Sequence, residues 1–125
     1  MFFDGLLPDP APLPEAVQGV AGAWAEFRGY VRGEENGKPI AALRYEIYAA
    51  MARHRLETHL DELAGRFPLC AARFWHRSGV VRVGEASVYA AVAAPHRSDA
   101  FAALAELMNR LKSDVPIWKV EALPV

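Results

Sequence analysis

Cysteine is nearly absent: Cys70 is alone among 125 residues. An internal disulfide is therefore excluded, and a reducing compartment is the expectation. Charge of one sign is also missing. The formal net charge is −1, so no overall basic field invites a nucleic acid, and any basic site must be local. No apolar run reaches the roughly 18 residues of a membrane-spanning helix. The start, Met1-Phe2-Phe3-Asp4-Gly5-Leu6-Leu7-Pro8, has no basic leader and no long apolar core, which makes it a poor secretion signal. A cytoplasmic chain is expected. Neither a Walker loop nor Gly-x-Gly-x-x-Gly occurs. His54 and His59 miss the i, i+4 spacing of a helical metal pair, so no metal site and no cofactor are expected. Cys70 lies in an apolar segment and reads as a buried structural thiol.

What is present is a globular chain with 53% hydrophobic residues, long enough for one core and one domain over residues 1–125. Residues 1–19 form a Pro-rich arm; Pro8, Pro10, Pro12 and Pro14 impose extended backbone, with room for a short helical turn around Pro14–Gln18. The core domain spans 20–125. Alternation predicts strands over 20–32 and Ile40–Tyr48, joined by a turn at Glu34–Lys38 whose Asn36-Gly37 is a hairpin signal. Gly29 marks a bulge or a close approach. Leu56, Leu60, Leu63, Ala64 and Phe67 trace an apolar stripe on a helix over Ala49–Phe67, stopped by Pro68. Strands follow at Ala71–His76, Val80–Val83 and Ala86–Ala94. A second helix, with Ser98 as N-cap, buries Phe101, Leu104, Met108 and Leu111. A last strand runs over Ile117–Leu123. Two long helices among hairpin-linked strands predict an α+β fold rather than a doubly wound sheet.

The chemistry concentrates in Lys112-Ser113-Asp114-Val115-Pro116-Ile117-Trp118-Lys119-Val120-Glu121. Lys112 falls in the last turn of the second helix. Val115 precedes proline and is pushed towards extended geometry, so the chain turns there. Both amines are then free to face one site, suited to an anion or to an activated amine. Strand alternation puts Ile117, Lys119 and Glu121 on one face and Trp118, Val120 and Ala122 on the other, with Glu121 placed to orient Lys119. Two solvated surface lysines are the plain alternative. His96-Arg97 precedes a helix N-terminus, where backbone N–H groups and a planar guanidinium favour an anion. Arg32 ends the first strand. His76-Arg77 reads as strand-end packing and hydrogen bonding.

Together these pieces resemble the catalytic (large) subunit of molybdopterin synthase. The resemblance rests on Phe27-Arg28-Gly29-Tyr30-Val31-Arg32, Leu43-Arg44-Tyr45-Glu46-Ile47-Tyr48 with Met51, His76-Arg77-Ser78-Gly79 and Val83-Gly84-Glu85-Ala86-Ser87-Val88. It continues through His96-Arg97-Ser98-Asp99-Ala100-Phe101 and the lysine segment, in family order. It implies an α/β-hammerhead-type fold with a mainly antiparallel sheet, and a homodimer within a heterotetramer. A small ubiquitin-like sulfur-carrier subunit would deliver sulfur as a C-terminal thiocarboxylate. The acceptor would be cyclic pyranopterin monophosphate (precursor Z), and the product the dithiolene of molybdopterin. By the same resemblance Lys119 is the principal catalytic lysine and Lys112 assists; both contact substrate. Arg32, His96 and Arg97 bind the pterin and its phosphate, while Tyr30, Val31, Val120 and Glu121 line the pocket. A non-catalytic homologue that binds a phosphate-bearing pterin or docks the small subunit is the rival reading.

Overall fold

A computed structural model of the chain describes residues 2–3 and 13–125. The arm expected at Pro8, Pro10 and Pro12 lies outside the described residues. The predicted helical turn is a 3-10 turn at Glu15–Val17.

Among the described residues, eight strands and two long helices follow the order β1 (Phe2–Phe3), β2 (Ala23–Tyr30), β3 (Glu34–Glu35), β4 (Lys38–Ile47), α1 (Ala49–Arg66), β5 (Ala71–Arg77), β6 (Gly79–Arg82), β7 (Ala86–Ala94), α2 (Arg97–Asp114) and β8 (Ile117–Pro124). One sheet has the order β1-β5-β7-β2, with β7 antiparallel to both β5 and β2. The other is built on β4, which pairs antiparallel with β3, β6 and β8. The expected α+β class with mainly antiparallel sheet and two long helices is what forms.

The main core lies between the helices and the first sheet. Leu56 and Leu63 of α1 and Ala100, Ala103, Leu104 and Leu107 of α2 pack on Phe74, Val88, Ala90 and Val92. The second helix differs from its predicted stripe: Phe101 is 64% exposed, and alanines take the core face. Ala100 and Ala103 bring α2 close to β2 and β7, and Phe101 sits about 100° further round the helix. Ala64 of the α1 stripe is also exposed, one step beyond the buried Leu63. Val31, Ile40, Leu43 and Val81 form a smaller core under the second sheet.

Local signals explain the connections. Asn36 and Gly37 take positive φ values of 53° and 79° between paired Glu35 and Lys38, the two-residue turn that the Asn-Gly pair predicts. Gly29 stands at a register shift, and a Cβ there would lie 2.7 Å from Cγ1 of Val88. Both readings of that glycine hold. Ser98 is not the N-cap of α2; His96 occupies that position, and no side chain caps the helix. Cys70 is partly rather than fully buried.

At the far end of α2 a polar cluster ties the two helices together. Arg110 donates to Nδ1 of His59 at 3.2 Å, so the Nε2–H of His59 donates to Asp114 at 2.7 Å. Arg110 also pairs with Glu62 and Glu106. This cluster holds the helix end that carries Lys112.

Candidate functional site

The turn between the lysines is set by burial. Val115 and Pro116 are both buried. The Pro116 carbonyl accepts the Tyr48 N–H at 3.2 Å, and the Val115 carbonyl accepts the Ile117 N–H at 2.8 Å. The helix therefore ends, the chain reverses, and β8 returns along β4. Lys112 and Lys119 consequently line one cavity of about 450 Å³. Tyr45, His76, Ser87 and Asn109 supply its other polar groups, and Phe27, Val88, Met108, Leu111 and Ile117 its apolar wall. Among the described residues, no carboxylate is in that lining.

Lys119 also borders a second, smaller cavity of about 200 Å³, shared with Glu35, Val120 and Glu121. The expected partnership of Lys119 with Glu121 does not form. Lys119 pairs opposite Tyr45, but Glu121 pairs opposite Arg44, because the register shifts at Val120. This β-bulge inserts one residue and puts the two side chains on opposite faces. Glu121 instead accepts from Nε of Arg44 at 2.9 Å. The carboxylate that reaches Lys119 is Glu35, with Oε2 3.6 Å from Nζ. Trp118 is also not packed inside: it is 51% exposed, edge-on to Tyr48 with ring centroids 5.0 Å apart.

The other predicted residues stand elsewhere in the chain. Arg32 is exposed beside the β3–β4 turn, on a depression lined by Gly33, Glu34, Asn36 and Gly37. Tyr30 is 57% exposed, whereas the Val31 side chain is buried in the smaller core. His96 and Arg97 are exposed at the N-terminus of α2, in a depression with Gly22, Pro95 and Ser98. Lys112 is sixteen positions further along that helix, about 24 Å at 1.5 Å per residue. Helix length keeps the His96-Arg97 pair away from Lys112 of the same chain.

Sequence reasoning missed Glu35 and His76 as neighbours of the lysines. His76 is buried, and that burial holds its imidazole pKa below the usual value, partly offset by a hydrogen bond to the Arg77 carbonyl. Its neighbour Arg77 has the structural role expected of the pair. The guanidinium donates to Glu85 at 3.2 Å and to the Val80 carbonyl at 3.4 Å. The Arg82 N–H and then the Arg77 side chain hold the Glu85 carboxyl below its usual range.

Among the described residues no group of three or more His, Cys, Asp or Glu side chains is placed to hold a metal ion. No described helix is long and apolar enough to cross a membrane. An α+β domain in which two lysines line one cavity, one of them ion-paired to Glu35, defines a protein with a cationic cleft. A family model described as "MoaE protein" matches residues 9–114, and the chain belongs to that family. The match takes in Arg32, His96, Arg97 and Lys112 and ends before Lys119.

The chain is 45% identical over 101 residues to the "Molybdopterin synthase catalytic subunit" of Oryza sativa subsp. indica, covering 81% of this chain and 52% of that protein. It thus spans about half the length of the rice relative. It is 37% identical over 118 residues to the protein of that name from Pyrococcus abyssi, covering 91% and 80% of the two chains. The crystal structure of molybdopterin synthase from Staphylococcus aureus superposes with a TM-score of 0.77 at 27% identity, covering 98% of this chain and 93% of that one.

Proposed function

We propose that this chain is the catalytic subunit of a molybdopterin synthase, a cytoplasmic sulfurtransferase of molybdenum cofactor biosynthesis. It takes sulfur from the thiocarboxylated C-terminus of a small ubiquitin-like subunit and passes it to cyclic pyranopterin monophosphate. The observation that carries this reading is the convergence of Lys112 and Lys119 on one cavity. The family membership and the relatives' names support it. The donor brings the sulfur, so the reaction needs no cysteine of the enzyme, in keeping with a single partly buried Cys70.

Lys119 borders both cavities, which suits a group acting between a partner's tail and a substrate. Its positive charge would stabilise the anionic adduct formed as the thiocarboxylate adds to the pterin. Lys112, in the lining of the same cavity, assists by charge or proton transfer. Arg32, His96 and Arg97 bind the phosphate and pterin, with the His96-Arg97 pair supplied by a second copy of the chain. The length of α2 supports that assignment, since about 24 Å of helix separates His96 from Lys112 of its own chain. Val120 and Glu121 line the smaller cavity.

The test is reconstitution with thiocarboxylated small subunit and cyclic pyranopterin monophosphate, followed by assay of the dithiolene product. Wild type is expected to form product. Lys119→Ala is expected to lose about 10²-fold or more in rate, the scale for removing a group that stabilises developing negative charge. Lys112→Ala should lose less. No product from wild type, or full activity in Lys119→Ala, overturns the reading. If ligand binds without turnover, the non-catalytic alternative takes its place.

A further inference from the structure

The cavity that holds the two lysines also holds a buried imidazole with one nitrogen uncommitted. His76 lies on β5, 5% exposed, in the lining of that cavity. Its Nδ1 is 2.7 Å from the Arg77 carbonyl oxygen. A carbonyl only accepts, so Nδ1 carries the proton and donates it, and Nε2 keeps the lone pair of a neutral ring. The backbone therefore fixes the tautomer before any ligand arrives. Tyr45 holds the ring edge-on, with centroids 5.0 Å apart.

Nε2 has no hydrogen-bond partner among the described residues. His76 itself lines the cavity, so Nε2 is the ring nitrogen left for a molecule bound there. The groups around it are Lys112 from α2, Lys119 from β8 and the Tyr45 phenol from β4. Arg77 follows on β5, its guanidinium turned to Glu85. Burial disfavours an imidazolium, partly offset by the hydrogen bond to the Arg77 carbonyl. With Nδ1 committed to that carbonyl, accepting a hydrogen bond is the role left to Nε2.

We propose that His76 is a ligand-contact residue of the lysine cavity, its Nε2 accepting a hydrogen bond from an N–H or O–H group of the bound molecule. The lysine amines act only as donors. The Ser87 hydroxyl is directed to the Gly29 carbonyl at 3.5 Å. An acceptor at His76 thus puts a lone pair for a donor group in the same cavity as cations for an anionic group. The ligand class that fits is a phosphorylated heterocycle carrying ring N–H groups. Its identification as the pterin rests on the function proposed above, but the acceptor role does not.

The experiment measures binding to the full chain by calorimetry with three probes: cyclic pyranopterin monophosphate, guanosine monophosphate as a second donor-bearing phosphate, and sulfate as an anion without donors. His76→Asn keeps an amide N–H near the Nδ1 position and removes the Nε2 acceptor. It is expected to weaken the donor-bearing ligands about three- to tenfold, the scale of one hydrogen bond, and to leave sulfate affinity unchanged. As pH falls below the usual imidazole value, protonation of Nε2 removes the acceptor and adds positive charge. Wild-type binding of the donor-bearing ligands, normalised to the sulfate response, should then weaken, and that decline should vanish in the variant.

If His76→Asn binds both donor-bearing ligands like wild type at an unchanged Tm, the proposal is overturned. If the variant does not fold, 15N NMR of the wild-type imidazole decides: an Nε2 resonance unmoved at saturation overturns the proposal, and a shift towards the hydrogen-bonded value supports it. Guanosine monophosphate binding without pterin binding overturns the functional reading and leaves the acceptor standing. Binding of sulfate alone overturns both.

Discussion

At the scale of single residues, Lys119 is defined by the company it keeps. Its amine has Glu35 at 3.6 Å, and both side chains are partly open to water. Such a pair contributes roughly 0–1 kcal/mol, so it positions the amine more than it stabilises the fold. Glu35→Gln is expected to leave Tm almost unchanged yet shift the Nζ resonance of Lys119 in a lysine-selective NMR spectrum. Glu121→Gln should leave that resonance in place, because its carboxylate belongs to Arg44. The reverse pattern would restore the Lys119–Glu121 partnership that simple alternation implies. That partnership was read from spacing, and spacing gives the correct face only while a strand stays regular. Glu35 carries no local signal at all: it reaches Lys119 through the β3–β4 hairpin and the β4–β8 pairing, which are tertiary facts.

Elements were legible where punctuation is strong. Asn36-Gly37 marked the hairpin, Pro68 the end of α1, and Val115-Pro116 the end of α2; the apolar run Ala86–Ala94 is β7 to the residue. Helix faces were less legible, because size misled. Phe101 is the larger apolar residue, but α2 lies against the sheet through Ala100 and Ala103. The α1 face is better determined, and Leu63 on it is fully buried. Leu63→Ala should cost about 2–5 kcal/mol, seen as a lower urea midpoint at unchanged m-value. A loss below about 0.5 kcal/mol would mean that the helix repacks over the gap. This substitution lies in the core rather than in the lysine cavity, so catalysis per folded molecule should survive it.

For the whole molecule, the decisive length is that of α2. It carries Lys112 at one end and follows His96 at the other. On the proposed function, the His96-Arg97 end of α2 in one copy would serve the Lys112 end of α2 in another. Mixed dimers give a sharp test. One protomer carries Lys119→Ala and the other Arg97→Ala, and each homodimer is expected to be inactive or nearly so. If the pair is supplied by the second copy, one of the two sites in the mixed dimer is intact, and about half the wild-type rate returns. If both residues act within one chain, mixing restores nothing. The family resemblance groups these residues in one site, but the sequence carries no record of the distance along α2, since that depends on helix length measured in space.

The bulge at Val120 also bears on how relatives of this chain should be aligned. Val120 is a spacer rather than a rung of the ladder: the paired residues on either side of it, Lys119 with Tyr45 and Glu121 with Arg44, are already consecutive on β4. A chain without the spacer would keep every one of those pairings. A one-residue gap at this column therefore keeps both pairings, while an uninterrupted Lys-x-Glu column joins residues whose ion-pair partners differ: Glu35 for Lys119 and Arg44 for Glu121.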